Sequence, residues 1–209
     1  MKNMTQLQKK LLAFTLIGFL LGTLWFATLR FLFIEDKTVH YHANFSLYIN
    51  GEKDPFDDFT QYEEVQACSG ETKDNPRGRG HLHKPNAHVV HVHDNAVTWN
   101  AFFANVGYGL TDKALTVTDK VFVDGQDGKE LTFILNGKVV DTVSNRIIGN
   151  KDALLISYGN ESKEELEQRY AAIPKDAEVV NTQYDPASCS GTKEMTAIDR
   201  FVKAFDFTN

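Results

Sequence analysis

The sequence predicts an α+β protein with an N-terminal transmembrane helix, a mixed sheet crossed by one helix, and helices toward the C-terminal end. Three observations predict it. A long apolar run fills residues 11–34. Between residues 41 and 159, short segments alternate apolar with polar residues and are separated by turn pairs such as Asn50-Gly51 and Asn136-Gly137. Apolar residues recur at helical spacing after Thr98 and again near the C-terminal end.

The apolar run, LLAFTLIGFLLGTLWFATLRFLFI from Leu11 to Ile34, is interrupted only by Arg30. At ~1.5 Å per residue it is roughly 36 Å long, enough to cross a ~30 Å hydrocarbon core with some tilt. Lys2, Lys9 and Lys10 precede it, and no acidic residue occurs before Glu35. The positive-inside rule then assigns residues 1–10 to the cytoplasm, 11–34 to the cell membrane, and everything from Glu35 on to the outside. Arg30 stands near the outer end, where its long stem can reach the headgroups. A cleaved signal peptide is the competing reading, but its apolar region is only ~7–15 residues and ends at a small-x-small site. Trp25, Phe26 and the bulky RFLFI end suit an interfacial aromatic belt and an uncleaved single-pass anchor.

The outer part is long enough for one domain over residues 35–160 with an appended helical segment over 161–209. It holds all 28 acidic residues and 18 of the 22 lysines and arginines, a net charge of about −10. Such a surface attracts cations and repels phosphate backbones, which excludes nucleic acid as a partner. The only cysteines are Cys68 and Cys189, both outside by this topology, and one structural disulfide between them is the simplest pairing. There is no Cys-x-x-Cys, so thioredoxin-type exchange is disfavoured.

Taken in order, Tyr41, Ala43, Phe45, Leu47 and Ile49 share one face of a half-buried strand, with His42, Asn44, Ser46 and Tyr48 on the other. Asn50-Gly51 turns the chain. Residues 54–86 carry Pro, Gly, Asn and charge and predict a long loop with short ordered pieces. HVVHVH, His88–His93, is a second strand. Thr98 caps a short helix, WNAFFANV, closed by Gly107. Ala114–Val117, Lys120–Val123, Leu131–Leu135, Lys138–Val143 and Ala153–Tyr158 follow as strands. Ser162 opens a helix through the capping box Ser-Lys-Glu-Glu, and that helix stops near Pro174. A last helix from about Thr192 places Ile198, Phe201, Val202 and Phe205 in one stripe, expected to dock on the core near Cys189.

Strand, strand, helix, then several strands is the plan of a β-grasp domain. The segments VTWNAFFANVG, LTFILNGK and GNKDALLISYG resemble the transcobalamin-type or soluble-ligand-binding β-grasp family over residues 88–159.

All seven histidines fall between positions 40 and 93: His40 and His42 in HYH, His81 and His83 in HLH, His88, and His91 and His93 in HVH. Residues two apart on a strand share a face, so each His-x-His pair can converge on one ion. If the strands carrying His42 and His91 are neighbours, both pairs point the same way, and the loop pair His81 and His83 can fold over them. His91 and His93 are the foremost candidates, then His81 and His83, then His42 and His40, with His88 the weakest because it shares a face with Val90. Imidazole with a carboxylate such as Asp94 nearby suits Zn(II), Cu(II) or Ni(II). Only three methionines occur, Met1, Met4 and Met195, which disfavours a thioether site for Cu(I). The bland reading of each pair is an exposed polar strand face. Seven histidines on an acidic domain would also serve as a pH sensor near pH ~6–6.5, with no metal.

Other motifs are weak. Asp124, Asp127 and Glu130 fit a hairpin turn better than a calcium loop. No P-loop, dinucleotide fingerprint, Gly-x-Ser-x-Gly or His-Glu-x-x-His occurs, and no catalytic residue is assigned. The order of anchor, HANFSLYING, HLH, HVVHVHD, VTWNAFF, ILNGK, LLISYG and DPASCSG resembles a family of single-pass, histidine-rich extracytoplasmic proteins from reduced-genome bacteria of the candidate phyla radiation. More distant archaeal proteins sharing an HVHA-type strand carry a disulfide-isomerase label, which the missing Cys-x-x-Cys argues against here. The resemblance implies the architecture and no particular activity. The leading functional expectation is an anchored domain that captures, buffers or senses a divalent ion, Zn(II) or Cu(II). The alternatives are an envelope module engaging a protein, glycan or small ligand, and a metal-dependent hydrolase.

Overall fold

Strand β1, Tyr41–Ile49, runs through the middle of a mixed sheet, and its central residues are buried on both faces. The computed structural model describes residues 5–34, 39–62, 76–182 and 196–206. Cys68 and Cys189, and with them the predicted disulfide, lie outside the described residues. The described residues form two compact units. Helix α1, Gln6–Phe33, belongs to one with helix α6, Ala197–Phe205, and the second spans Thr38–Thr192.

In the larger unit, β1 pairs in parallel with β10, Ala153–Gly159, with Phe45 opposite Leu154 and Leu47 opposite Ile156. Antiparallel strands flank this central pair. On one side lie β4, Asn86–Val92, and then β3, Gly80–His83; on the other lie β8, Glu130–Leu135, and β9, Lys138–Val140. A two-residue strand β2, Glu52–Lys53, folds back on β1 through Asn50-Gly51, whose φ values of 51° and 91° are those the predicted tight turn needs. Strands β5, Tyr108–Leu110, β6, Ala114–Val117, and β7, Lys120–Val123, make a separate small sheet.

One face of the main sheet carries the expected apolar row of Ala43, Phe45 and Leu47, all buried. Helix α3, Trp99–Asn105, lies against it, its first turn capped by the Thr98 hydroxyl, which accepts from Ala101 N at 3.4 Å. The rings of Phe102 and Phe103 meet that of Phe45 edge-on at 5.2 and 5.8 Å, and Phe56 does so at 5.1 Å. Each fully buried ring contributes roughly 1.5–3 kcal/mol through surface removed from water.

The opposite face was expected to be the exposed polar side of a half-buried strand, and there the structure differs. His42, Asn44 and Ser46 are buried as well. Helix α4, Lys163–Ala171, and helix α5, Asp176–Val180, lie on this side. Ile134, Leu155 and Ile173 form a second small core, with Leu166 and Tyr170 packed against it. The Ser162 box forms as predicted, with Glu165 reaching back to Ser162 N. Arg169 of α4 pairs with Glu161 at 2.7 Å, donates to Ser157 Oγ at 3.0 Å and stacks on Tyr48 at 4.7 Å. At α5, Ala177 N donates to Asn44 Oδ1 at 2.8 Å, so the sheet's own polar row satisfies the helix start.

In the smaller unit, α1 is long and apolar enough to cross a membrane, and its apolar side chains are exposed along almost its whole length. The stripe of α6 was expected to dock on the sheet core. Within its unit, Ala204 and Ala27 are the buried positions of this helix pair, and Ile198, Phe201 and Val202 are 74, 59 and 61% exposed.

Candidate metal centre

Three neighbouring strands, β3, β4 and β1, each carry one His-x-His pair or part of one. Their register decides where the rings go. His42 of β1 stands opposite His91 of β4, and His81 of β3 stands opposite the same His91 from the other side. One row of three imidazoles therefore crosses three strands. His40 and His93 continue the cluster one step further along β1 and β4, stacked at 4.6 Å. His83 joins after a register shift in β3, its ring centre 4.7 Å from His81 and 4.4 Å from His91. The two strands are neighbours, which is the condition under which both pairs were expected to point the same way, and their rings meet. The loop expected for His81 and His83 is instead the edge strand of the sheet.

Four of these six rings, His42, His81, His83 and His91, are buried, while His40 and His93 are half-buried. Burial disfavours the imidazolium form, and clustered rings repel one another when charged. The His81 pKa is pushed down to about 3 by burial first and then by His83 and His93. That of His91 is lowered by burial and by His42, His83 and His81. Both are therefore neutral near pH 6–6.5, the range in which a pH sensor would titrate. Neutral imidazole is also the form that ligates a metal.

The hydrogen bonds set the tautomers. His42 Nδ1 lies 2.8 Å from Asn181 Oδ1, which also accepts from His42 N at 3.1 Å. Asn181 itself is held by donating Nδ2 to Asn150 Oδ1 at 2.9 Å. His42 is thus protonated on Nδ1 and presents a lone pair on Nε2. His91 Nδ1, 3.0 Å away, donates into it, which leaves the lone pair of His91 on Nε2. On β3, His81 Nδ1 donates to the carbonyl oxygen of Arg77 at 2.9 Å, in the short helix α2, Pro76–Arg79, leaving its Nε2 lone pair 3.1 Å from His83 Nε2. A ring whose second nitrogen donates to a carbonyl is the usual arrangement around a bound metal.

His40, His91 and His93 each bring one ring nitrogen to a point where all three lie within 4.8 Å of one another, a group that could hold a metal ion. Two ligands at ~2.0–2.1 Å from a tetrahedral ion stand roughly 3.3 Å apart, so gathering three donors from this spacing asks only for small rotations of the rings. Asp94, expected to contribute a carboxylate, is engaged elsewhere: it pairs with Arg79 at 2.9 Å and accepts from Ala96 N at 3.0 Å. His88 stands apart from the cluster, 2.7 Å from Asp176 of α5. Asn181 and the Arg77 carbonyl had no signal in the sequence, since Asn181 lies 139 positions from the ring it orients.

The arrangement defines an α+β domain with an all-imidazole cluster, and the chain also carries a helix long and apolar enough to span a membrane. Comparison of the chain with protein-family models, with curated proteins and with solved structures finds no match.

Proposed function

We propose that this chain is a membrane-anchored, extracytoplasmic domain that binds a divalent transition metal, Zn(II) or Cu(II), for capture, buffering or sensing. The observation that carries the reading is the convergence of His40, His91 and His93 to within 4.8 Å in a layer of six contiguous imidazoles. Imidazole donors favour Zn(II) and Cu(II) over the hard, oxygen-seeking cations. Burial keeps His81 and His91 unprotonated, and the Asn181–His42–His91 relay aims one lone pair before any ion arrives. The donor group is all imidazole and Asp94 is engaged by Arg79, which favours holding an ion over hydrolysis, where a base must activate bound water. A β-grasp-like core is supported by the parallel pairing of the first and last strands at the centre of the sheet, with α3 across one face. Anchoring is supported by the length and apolarity of α1, and the outward orientation by the lysines ahead of it.

The test is metal content and affinity of the full chain, purified in mild detergent without a histidine tag and titrated with Zn(II) and Cu(II). Stoichiometric binding at micromolar affinity or tighter is expected, and His91→Ala with His93→Ala removes the ion that His40, His91 and His93 would hold. Metal at background level, or an ion count and affinity unchanged by the double substitution, rejects the reading and points to an envelope partner instead.

A further inference from the structure

The histidine layer is too long for one ion. His91 and His93 occupy its middle. His40 and His42 lie on the β1 side, with ring centres 4.6 Å from His93 and 4.3 Å from His91 respectively. His81 and His83 lie on the β3 side, 5.1 Å from His93 and 4.4 Å from His91. Adjacent strands are ~4.8 Å apart, so rings on β1 and β3 are separated by roughly 9–10 Å. All donors to a single ion lie within ~4.2 Å of one another, twice the metal–nitrogen distance. An ion held by His40, His91 and His93 therefore leaves the β3 end of the layer unused.

That end is itself arranged as a ligand pair. His81 and His83 are 2% and 9% exposed, and their Nε2 atoms lie 3.1 Å apart, close to the roughly 3.3 Å of two nitrogens on one tetrahedral ion. The Arg77 carbonyl oxygen holds the Nδ1 proton of His81 at 2.9 Å, so its Nε2 lone pair faces His83. Without an ion, His83 must fill that lone pair with its own Nε2 proton. With one, His83 shifts its proton to Nδ1 and both Nε2 lone pairs meet the same cation. This is the support that Asn181 supplies at the other end, built independently from α2. β3 pairs with β4 on one side, and on the other Tyr62 bridges to Leu82, the residue between the two histidines.

We propose that His81 and His83 hold a second divalent transition-metal ion, so that each chain binds two. The proposal rests on the reading of the cluster as a metal site. The experiment counts ions on the full chain in mild detergent by native mass spectrometry after loading with Zn(II), and again with Cu(II). The wild-type chain is expected to carry two ions. His81→Ala with His83→Ala loses one and keeps the other, and His40→Ala with His93→Ala does the reverse. Because His81 is buried, His81→Gln with His83→Gln is run alongside, and it decides the matter if the alanine pair does not fold. One ion on the wild-type chain, or two on a folded chain lacking His81 and His83, overturns the second site and leaves the first standing. No ion on any chain overturns both.

Discussion

His42 is a buried imidazole at 1% exposure, so each ring nitrogen must find a partner inside the protein. Asn181 supplies one and His91 the other, and the order of donors makes His42 an orienting residue for His91. Replacing Asn181 by Ala removes the acceptor for two donors, the ring and the main chain of His42. We expect Asn181→Ala to weaken metal binding by roughly 10–100-fold while the ion count stays the same. It should also cost about 1–3 kcal/mol of stability for the unsatisfied buried donors. Asn181→Asp keeps an acceptor and should retain most of the affinity. Competition titration with a Zn(II) indicator reads all three chains, and an alanine variant that binds like wild type would show that the relay does not position His91. The six clustered histidines were legible as a set from their spacing. Asn181 was not, because an asparagine just past a five-residue helix carries no mark of what it will touch.

At the scale of elements, legibility followed length. β1 and β10, nine and seven residues long, announced themselves by alternation and by an apolar run. β3 has four residues behind a stretch rich in Pro, Gly and charge, and read as loop. Its strand character comes from pairing with β4, a contact that local composition does not encode. Helix α5 went unpredicted for the same reason, since its first turn is secured by Asn44 on another element. For α6 the stripe was visible but its neighbour was not: two small residues, Ala27 and Ala204, let it approach α1 while the larger side chains stay exposed. α1 makes the sharpest prediction at this scale. The full chain should remain in the membrane pellet after alkaline carbonate extraction, and protease added outside intact cells should digest residues beyond Glu35. Recovery of the whole chain in the soluble fraction would remove the anchor.

For the molecule as a whole, the buried histidines tie stability to pH. His81 has an ordinary pKa of 6.5 when unfolded and about 3 in the folded domain, and His91 is shifted the same way. Above pH ~6.5 neither state binds a proton at these rings, and the stability is fully present. As pH falls from ~6.5 toward ~3, the unfolded chain takes up protons that the folded domain refuses, and stability is lost at roughly 1.4 kcal/mol per pH unit for each such ring. Bound metal moves in the same direction, because protons compete for the same lone pairs. Thermal or urea unfolding of the metal-free chain at steps from pH 7.5 to 4.5 should show this decline beginning near 6.5. A flat profile to pH 5 would mean that these rings are not buried neutral.

The sequence by itself determined the apolar helix, the alternating strands with their Asn-Gly turns, the capped helices and the stock of imidazoles, because each depends on neighbours one to four positions away. The tertiary structure decided which strands stand side by side, and hence that three separate His-x-His pairs form one layer. It decided that the polar face of β1 is buried beneath helices, and that Asp94 turns to Arg79 while Asn181 comes to His42. A metal site is a matter of a few ångströms between residues far apart along the chain, and only sheet register and helix packing set those distances.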